Sequence, residues 1–205
     1  MYQLPQSTLI NRPLYKKAVF EKFNLKTAER VRFDADVSRM AIVAQVSTKS
    51  VPALGSGKDV PILYVLQVQM KRKDYDTKNI LMLHKLIPQH IVFALQYEQQ
   101  TQFCIFHTRL QQSEWIPTDD ATIMLEGSNL DAVWNNIVAR IGNLDATSEE
   151  SIEQQIIKRE QRDKLLQQIE SFEKRCRAEK QTRKKYEMHQ KLQALKLKCS
   201  RFESS

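Results

Sequence analysis

The sequence predicts an α/β or α+β domain, a mixed sheet with packed helices, followed by a long C-terminal helical arm of coiled-coil-like character. Three observations predict it. Strand-like alternation and helix-like apolar spacing interleave over residues 1–145. From Ser151 onward there is neither Pro nor Gly, so nothing in the chain punctuates a helix there. The charge also divides: residues 1–145 hold 17 basic and 14 acidic side chains, and residues 146–205 hold 15 and 10. The boundary therefore falls between a globular domain over 1–145 and a charged helical arm over 146–205.

In the first part, Asn11 and Pro13 offer a start for a short helix over Lys16 to Phe23, with Val19, Phe20 and Phe23 sharing a face. A second helix is expected from Thr27 to Asp36. Met40, Ile42, Val43 and Val46 then read as a strand. Ser47 to Asp59 is polar and ends in Gly55-Ser56-Gly57-Lys58, which invites comparison with a phosphate-binding loop. That comparison fails, because Pro52 stands where the first Gly is needed, Asp59 replaces the magnesium-binding hydroxyl, and a strand follows instead of a helix. It reads as a connecting loop. Val60 to Met70 alternates most clearly, Ile62, Tyr64, Leu66, Val68 and Met70 on one side, and predicts a central strand.

Asp76 or Thr77 caps a helix running to Ile87, stopped by Pro88. Ile91 to Tyr97 and Phe103 to His107 form a hairpin around the polar turn Glu98 to Thr101. Trp115-Ile116-Pro117 ends an irregular passage, and Ala121 to Leu125 reads as a short edge strand. Ser128 or Asn129 then caps a helix whose Leu130, Val133, Trp134, Ile137, Val138 and Ile141 fall on one face, with Gly142 placed to end it.

Asp145 to Glu150 reads as a hinge and helix start. Leu165, Ile169, Phe172 and Cys176 form an apolar seam, but Glu179, Arg183, Tyr186, Gln190 and Gln193 occupy the next places of that register. The arm must then bend back near Glu179, on itself or on the domain, or complete its seam with a partner helix; a homodimeric coil is the simplest partner. Leu192, Leu195, Cys199 and Phe202 give its far end a separate docking stripe. Charge is segregated along the arm: residues 146–173 carry 4 basic and 7 acidic side chains, residues 174–201 carry 11 and 2. Lys174, Arg175, Arg177, Lys180, Arg183, Lys184 and Lys185 are the candidates for contact with nucleic acid or a protein partner. Lys71, Arg72 and Lys73 form the basic cluster of the globular part and join that list.

The best enzyme reading is a metal-dependent nuclease of the restriction-endonuclease fold, with Asp59 as metal ligand and Gln69 two residues before Lys71. The helix, strand, strand, helix, strand order matches that fold. Against it, Gln69 is a poor ligand, and Asp59 and Lys71 lie about 40 Å apart along an extended strand. No catalytic residue, metal site or cofactor is expected. Cys104 and His107 fall on opposite faces of one strand, and His84, His90 and His189 have no Cys or His at ligand spacing. The unpaired spacing of Cys104, Cys176 and Cys199, together with the want of a membrane span or a secretion signal, leads us to expect a cytoplasmic protein.

Leu4-Pro5-Gln6-Ser7-Thr8 followed by Lys16-Lys17, the strand Val60 to Lys71, Ile87-Pro88 with His90-Ile91-Val92-Phe93, Leu125-Glu126-Gly127, Asn129-Leu130-Asp131 and a trailing charged helix together resemble the bacterial family called domain of unknown function 4391. The resemblance covers essentially the whole chain. It implies no catalytic residues. It implies a setting beside helicases and DNA methyltransferases in restriction-like or anti-phage loci, hence an accessory or adaptor subunit with a helicase or methyltransferase partner, and DNA as a further partner.

Overall fold

The computed structural model describes residues 1–145, 148 and 150–201. The chain forms two compact units, Met1–Ser148 and Glu149–Ser205. Among the described residues no helix is long and apolar enough to cross a membrane.

The first unit is mixed α/β. Its elements are β1 (Leu9–Leu14), α1 (Lys16–Lys22), α2 (Thr27–Asp36), β2 (Val37–Val46), β3 (Leu63–Met70), α3 (Thr77–Leu86), β4 (His90–Tyr97), β5 (Gln100–His107), β6 (Arg109–Gln112), β7 (Ile116–Pro117) and α4 (Leu130–Gly142). The sheet runs β1-β2-β3-β4-β5-β6, with β7 also paired to β5. All pairs are antiparallel except β3 and β4, which are parallel and joined through α3. A parallel pair cannot be closed by a tight turn, so the helix predicted after Met70 is the required crossover.

The alternation in β3 sorts its side chains between two cores. Leu66, Val68 and Met70 join Phe93 and Leu95 of β4 beneath Val19, Phe33, Ile80 and Leu83 from α1, α2 and α3. On the opposite face Leu63, Val65, Val92, Ala94 and Ile105 are fully buried, and α4 packs against β5 and β6. Each large apolar side chain so buried contributes roughly 1.5–3 kcal/mol.

Several expectations are corrected. Asn11 and Pro13 lie in the edge strand β1. Pro13 is tolerated there because an edge residue can leave its missing N–H unused, and Tyr15 stands at the start of α1 instead. Ala121 to Leu125 is not a strand. The edge of the hairpin is taken by β6 and β7, whose four and two residues are too short to show an alternating pattern. The Ala121 region is held by single contacts, such as the Ile123 N–H donating to the Tyr2 carbonyl at 3.0 Å. As expected, α4 ends at Gly142, and Asn143 takes the left-handed position after it at φ 50°, which Asn tolerates.

The second unit is a helical hairpin of α5 (Ile152–Ala178) and α6 (Thr182–Arg201). The chain therefore bends back near Glu179, the first of the two courses that the broken seam allowed. Ile169, Leu192 and Cys199 form its small core, with Phe172 and Leu195 packed beside them. Lys196 of α6 pairs with Glu173 of α5 at 2.7 Å. Ser151 caps α5 by accepting the Gln154 N–H at 3.3 Å. The expected hinge over 145–150 includes residues outside those described, and Phe202 lies outside them altogether.

Candidate functional site

Residues two apart on a strand share a face, so Gln67 and Gln69 stand in one row toward the end of β3, with Lys71 just past its last residue. Ladder pairing adds Arg39 and Ala41 of β2 opposite Gln69 and Gln67, and Gln96 of β4 opposite Gln69 on the other side. The glutamines are tied together: Gln67 Nε2 donates to Gln96 Oε1, Gln69 Nε2 donates to the Gln96 carbonyl at 3.2 Å, and Gln96 Nε2 donates to the Tyr2 hydroxyl at 3.1 Å. Burial pushes the Tyr2 phenol well above its ordinary range, so it stays a neutral partner. Beside this row, at the β1 to β3 side of the sheet, lies a groove of about 780 Å³ lined by Arg39, Gln67 and Gln69 among mostly apolar neighbours.

Of the three residues of the nuclease reading, the fold sets Gln69 near the end of β3 and Lys71 just past it, and leaves Asp59 before the other end of that strand. The eight residues of β3 alone span about 27 Å. The position across from Gln69, where a second metal-binding carboxylate would be useful, is held by Arg39. One cation, Arg39, and three amides favour an anion over a divalent metal.

Asp59 belongs to a different device. The backbone N–H groups of Lys58, Asp59 and Val60 converge on the Asp131 carboxylate at 2.6, 3.1 and 2.8 Å. These hydrogen bonds hold Asp131 below the usual carboxylate range. The glycine-rich loop is thus an anion nest, filled by the chain's own side chain in the first turn of α4. A Cβ on Gly57 would overlap Asp131 Oδ1 and come within 2.5 Å of the Val60 carbonyl, so only glycine fits.

The basic cluster after β3 divides. Arg72 pairs with the buried carboxylate of Asp36, donating from Nε at 2.5 Å. Asp36 also accepts the Asp76 N–H at 2.9 Å and Asn79 Nδ2 at 2.7 Å, and its own carbonyl accepts the Lys71 N–H at 2.7 Å. A buried carboxylate must be saturated in this way, so Arg72 serves the fold and fixes the strand end from which Lys71 projects. Lys73 Nζ lies 5.8 Å from the Trp115 ring centroid, and Lys71 is exposed. Periodicity gave Asp36 no role beyond ending a helix, because its partners lie 36 to 43 residues away in sequence.

Sequence spacing also missed a histidine cluster. His84, His90 and His107 line a pocket of about 280 Å³ with Phe106 and Trp134. His84 stacks on Phe106 at 4.3 Å, His90 meets Trp134 edge to face at 4.7 Å, and Trp134 Nε1 donates to His107 Nδ1 at 3.2 Å. Burial pushes His84 and His90 below the ordinary imidazole value. The signal was that each ring ends a different element, but which ends meet is a matter of sheet order. Cys104 lies on the other face, as its alternation with His107 required, beside the Tyr75 hydroxyl at 3.5 Å. Burial raises its thiol to about 11, which makes it a poor nucleophile.

In the hairpin, the bend gathers all seven candidate cations of the arm at one end. Lys174, Arg175 and Arg177 lie in the last turns of α5, Lys180 in the connection, and Arg183, Lys184 and Lys185 in the first turn and a half of α6. Lys174 pairs with Glu170 at 2.7 Å, Arg177 with Glu173 at 3.8 Å and Arg183 with Glu187 at 3.4 Å, while Arg175 lies over Phe172. Tyr186 is 64% exposed beside them. Among the described residues Lys180, Lys184 and Lys185 have no acidic partner.

Neither the curated proteins nor the solved structures provide a match to this chain. A family model described as "Domain of unknown function (DUF4391)" matches residues 3–198, and on that match, which spans both the sheet with its polar row and the cationic hairpin, the chain belongs to that family.

Proposed function

We propose that the chain is a non-catalytic accessory subunit of a bacterial DNA-processing system of the restriction or anti-phage kind, whose helical hairpin presents its cationic end to nucleic-acid phosphates while the sheet unit docks a protein partner. One observation carries this reading. The first turn of α6 contains no acidic residue, and Arg183, Lys184 and Lys185 stand at the helix end whose dipole is already positive. Cations there cost a helix about 0.3–1 kcal/mol each. Folding alone disfavours such a placement, whereas a phosphate backbone lying across the bend neutralises it and releases counterions. The exposed Tyr186 adds a surface on which an unpaired base stacks.

The test is fluorescence anisotropy of the full chain with a labelled DNA duplex at several salt concentrations. Replacing Lys180, Lys184 and Lys185 together by Glu should weaken binding and flatten the plot of log affinity against log salt by roughly 2 to 3 units, near 0.9 per lost phosphate contact. An unchanged slope removes the hairpin from any nucleic-acid role. Metal-dependent cleavage of plasmid by the purified chain, abolished by Lys71→Ala, would replace this reading with the nuclease of Asp59, Gln69 and Lys71.

A further inference from the structure

We infer that the groove beside β1 binds an extended segment of a protein partner, apolar in its middle and carrying a carboxylate that meets Arg39. The inference deepens the partner-docking half of the reading above and is independent of the hairpin.

The groove has two chemically distinct parts. Half-buried Leu9 and Ile10 over the buried Val43 provide apolar wall, while Arg39, Gln67 and Gln69 lie together at the ladder position where β2 and β3 pair. The volume of about 780 Å³ is enough for several side chains of a peptide. No acidic residue lines the groove, and its other cation, Lys16, is already paired with Asp34 at 2.6 Å. Arg39 is exposed and has no ion-pair partner among the described residues.

An uncompensated guanidinium at the end of an apolar trough is complementary to a carboxylate on an apolar chain. The planar fork of Arg binds carboxylate through two parallel hydrogen bonds, and the neighbouring amides donate or accept beside it. A nucleic-acid strand fits less well, since its many phosphates would face one free cation and a long apolar wall. The α4 helix packs on the β5 and β6 side of this sheet face, and the β1 to β3 side is where the groove lies open.

Selection of a displayed random-peptide library on the immobilised full chain, with counter-selection on the Arg39→Glu variant, tests the assignment. Enriched peptides should combine consecutive or alternating apolar residues with at least one Asp or Glu. They should bind Arg39→Glu at least about tenfold more weakly, and changing the peptide carboxylate to Lys should restore binding to that variant. Ile10→Asp, in the apolar wall, should weaken the same peptides, with circular dichroism showing both variants folded. No enrichment, enrichment of basic peptides, affinity indifferent to Arg39, or failure of the charge exchange would overturn the inference. So would single-stranded DNA competing for the groove, or self-association of the chain that Arg39→Glu abolishes. Each of these outcomes leaves the salt-slope measurement on the hairpin standing, so the two failures are separable.

Discussion

The two units treat charge in opposite ways. In the sheet unit the buried carboxylate of Asp36 is met by Arg72, Asn79 and a backbone N–H, and Asp131 is met by three backbone N–H groups. In the hairpin three cations occupy a helix start that electrostatics disfavours, and two of them, Lys184 and Lys185, have no acidic partner among the described residues. Charges placed to satisfy one another report what holds a fold together. Charges placed against local electrostatics report a demand from outside the fold.

The largest effect should come from breaking the satisfied side. Asp36→Ala removes the acceptor common to Arg72, Asp76 and Asn79 at a site whose carboxylate is 1% exposed. Stranding those donors costs about 1–3 kcal/mol for each that stays buried, and less for Arg72, whose side chain is half-exposed. Both tryptophans, Trp115 and Trp134, belong to the sheet unit, so a urea titration followed by tryptophan fluorescence isolates that unit. A midpoint within the range of exposed-site variants would mean that Arg72 finds water instead, and that the Asp36 cluster is incidental to the turn after β3.

How much of this was legible in the sequence depends on the range of the interaction. Elements held by local periodicity were readable: Leu63–Met70 follows from the spacing of its own apolar residues, while Thr27–Asp36 has the expected bounds although its Val31 is exposed and Phe33 carries its buried face, and the bend near Glu179 was one of the courses left open where the seam ran out. Strands of two to six residues at the sheet edge, β1, β6 and β7, were not, because so few residues cannot display a period and their pairing comes from the neighbour. The candidate site was half legible. Gln67 and Gln69 could be placed on one strand face by counting, but the strand ends before Lys71, and Arg39 enters only through the ladder register between β2 and β3. The Gly55 to Asp59 loop was correctly kept apart from nucleotide-binding loops. Its true occupant, Asp131, is 71 or more residues downstream and left no local trace.

A second effect, smaller than that of Asp36→Ala because the rings are only partly buried, concerns pH. His84 and His90 are held below the ordinary imidazole value first by burial. His90 and Lys85 add to the effect at His84, and His107 adds to it at His90, while Asp131 and Asp59 oppose it there. A folded-state value below the unfolded one means the unfolded chain takes up protons first. Stability is therefore full above about pH 6.5 and declines as the pH falls from there through the folded-state values. Urea midpoints measured at pH 7.5 and 5.5 should show the decline, and the double variant His84→Gln with His90→Gln should reduce it. An equal decline in the double variant would assign the pH dependence to other groups.

The smallest effect separates the two units most sharply. Replacing Arg183 and Lys184 by Glu puts acids in the first turn of α6, where the helix dipole favours them, and should stabilise the hairpin by up to about 1 kcal/mol. Solvent screening keeps the gain at the low end, since Arg183 is 94% exposed, and the lost pair with Glu187 offsets part of it. Far-UV circular dichroism on heating follows the helices of both units, while tryptophan fluorescence follows the sheet unit alone, so the part of the helical melt that fluorescence does not report should move upward and the fluorescence transition stay in place. The same variant should bind DNA more weakly. Gain in stability with loss of binding is what a surface held against its folding preference must give. A variant that loses both would mean the cations support the bend itself, and one that loses neither would leave them as a solvated helix end.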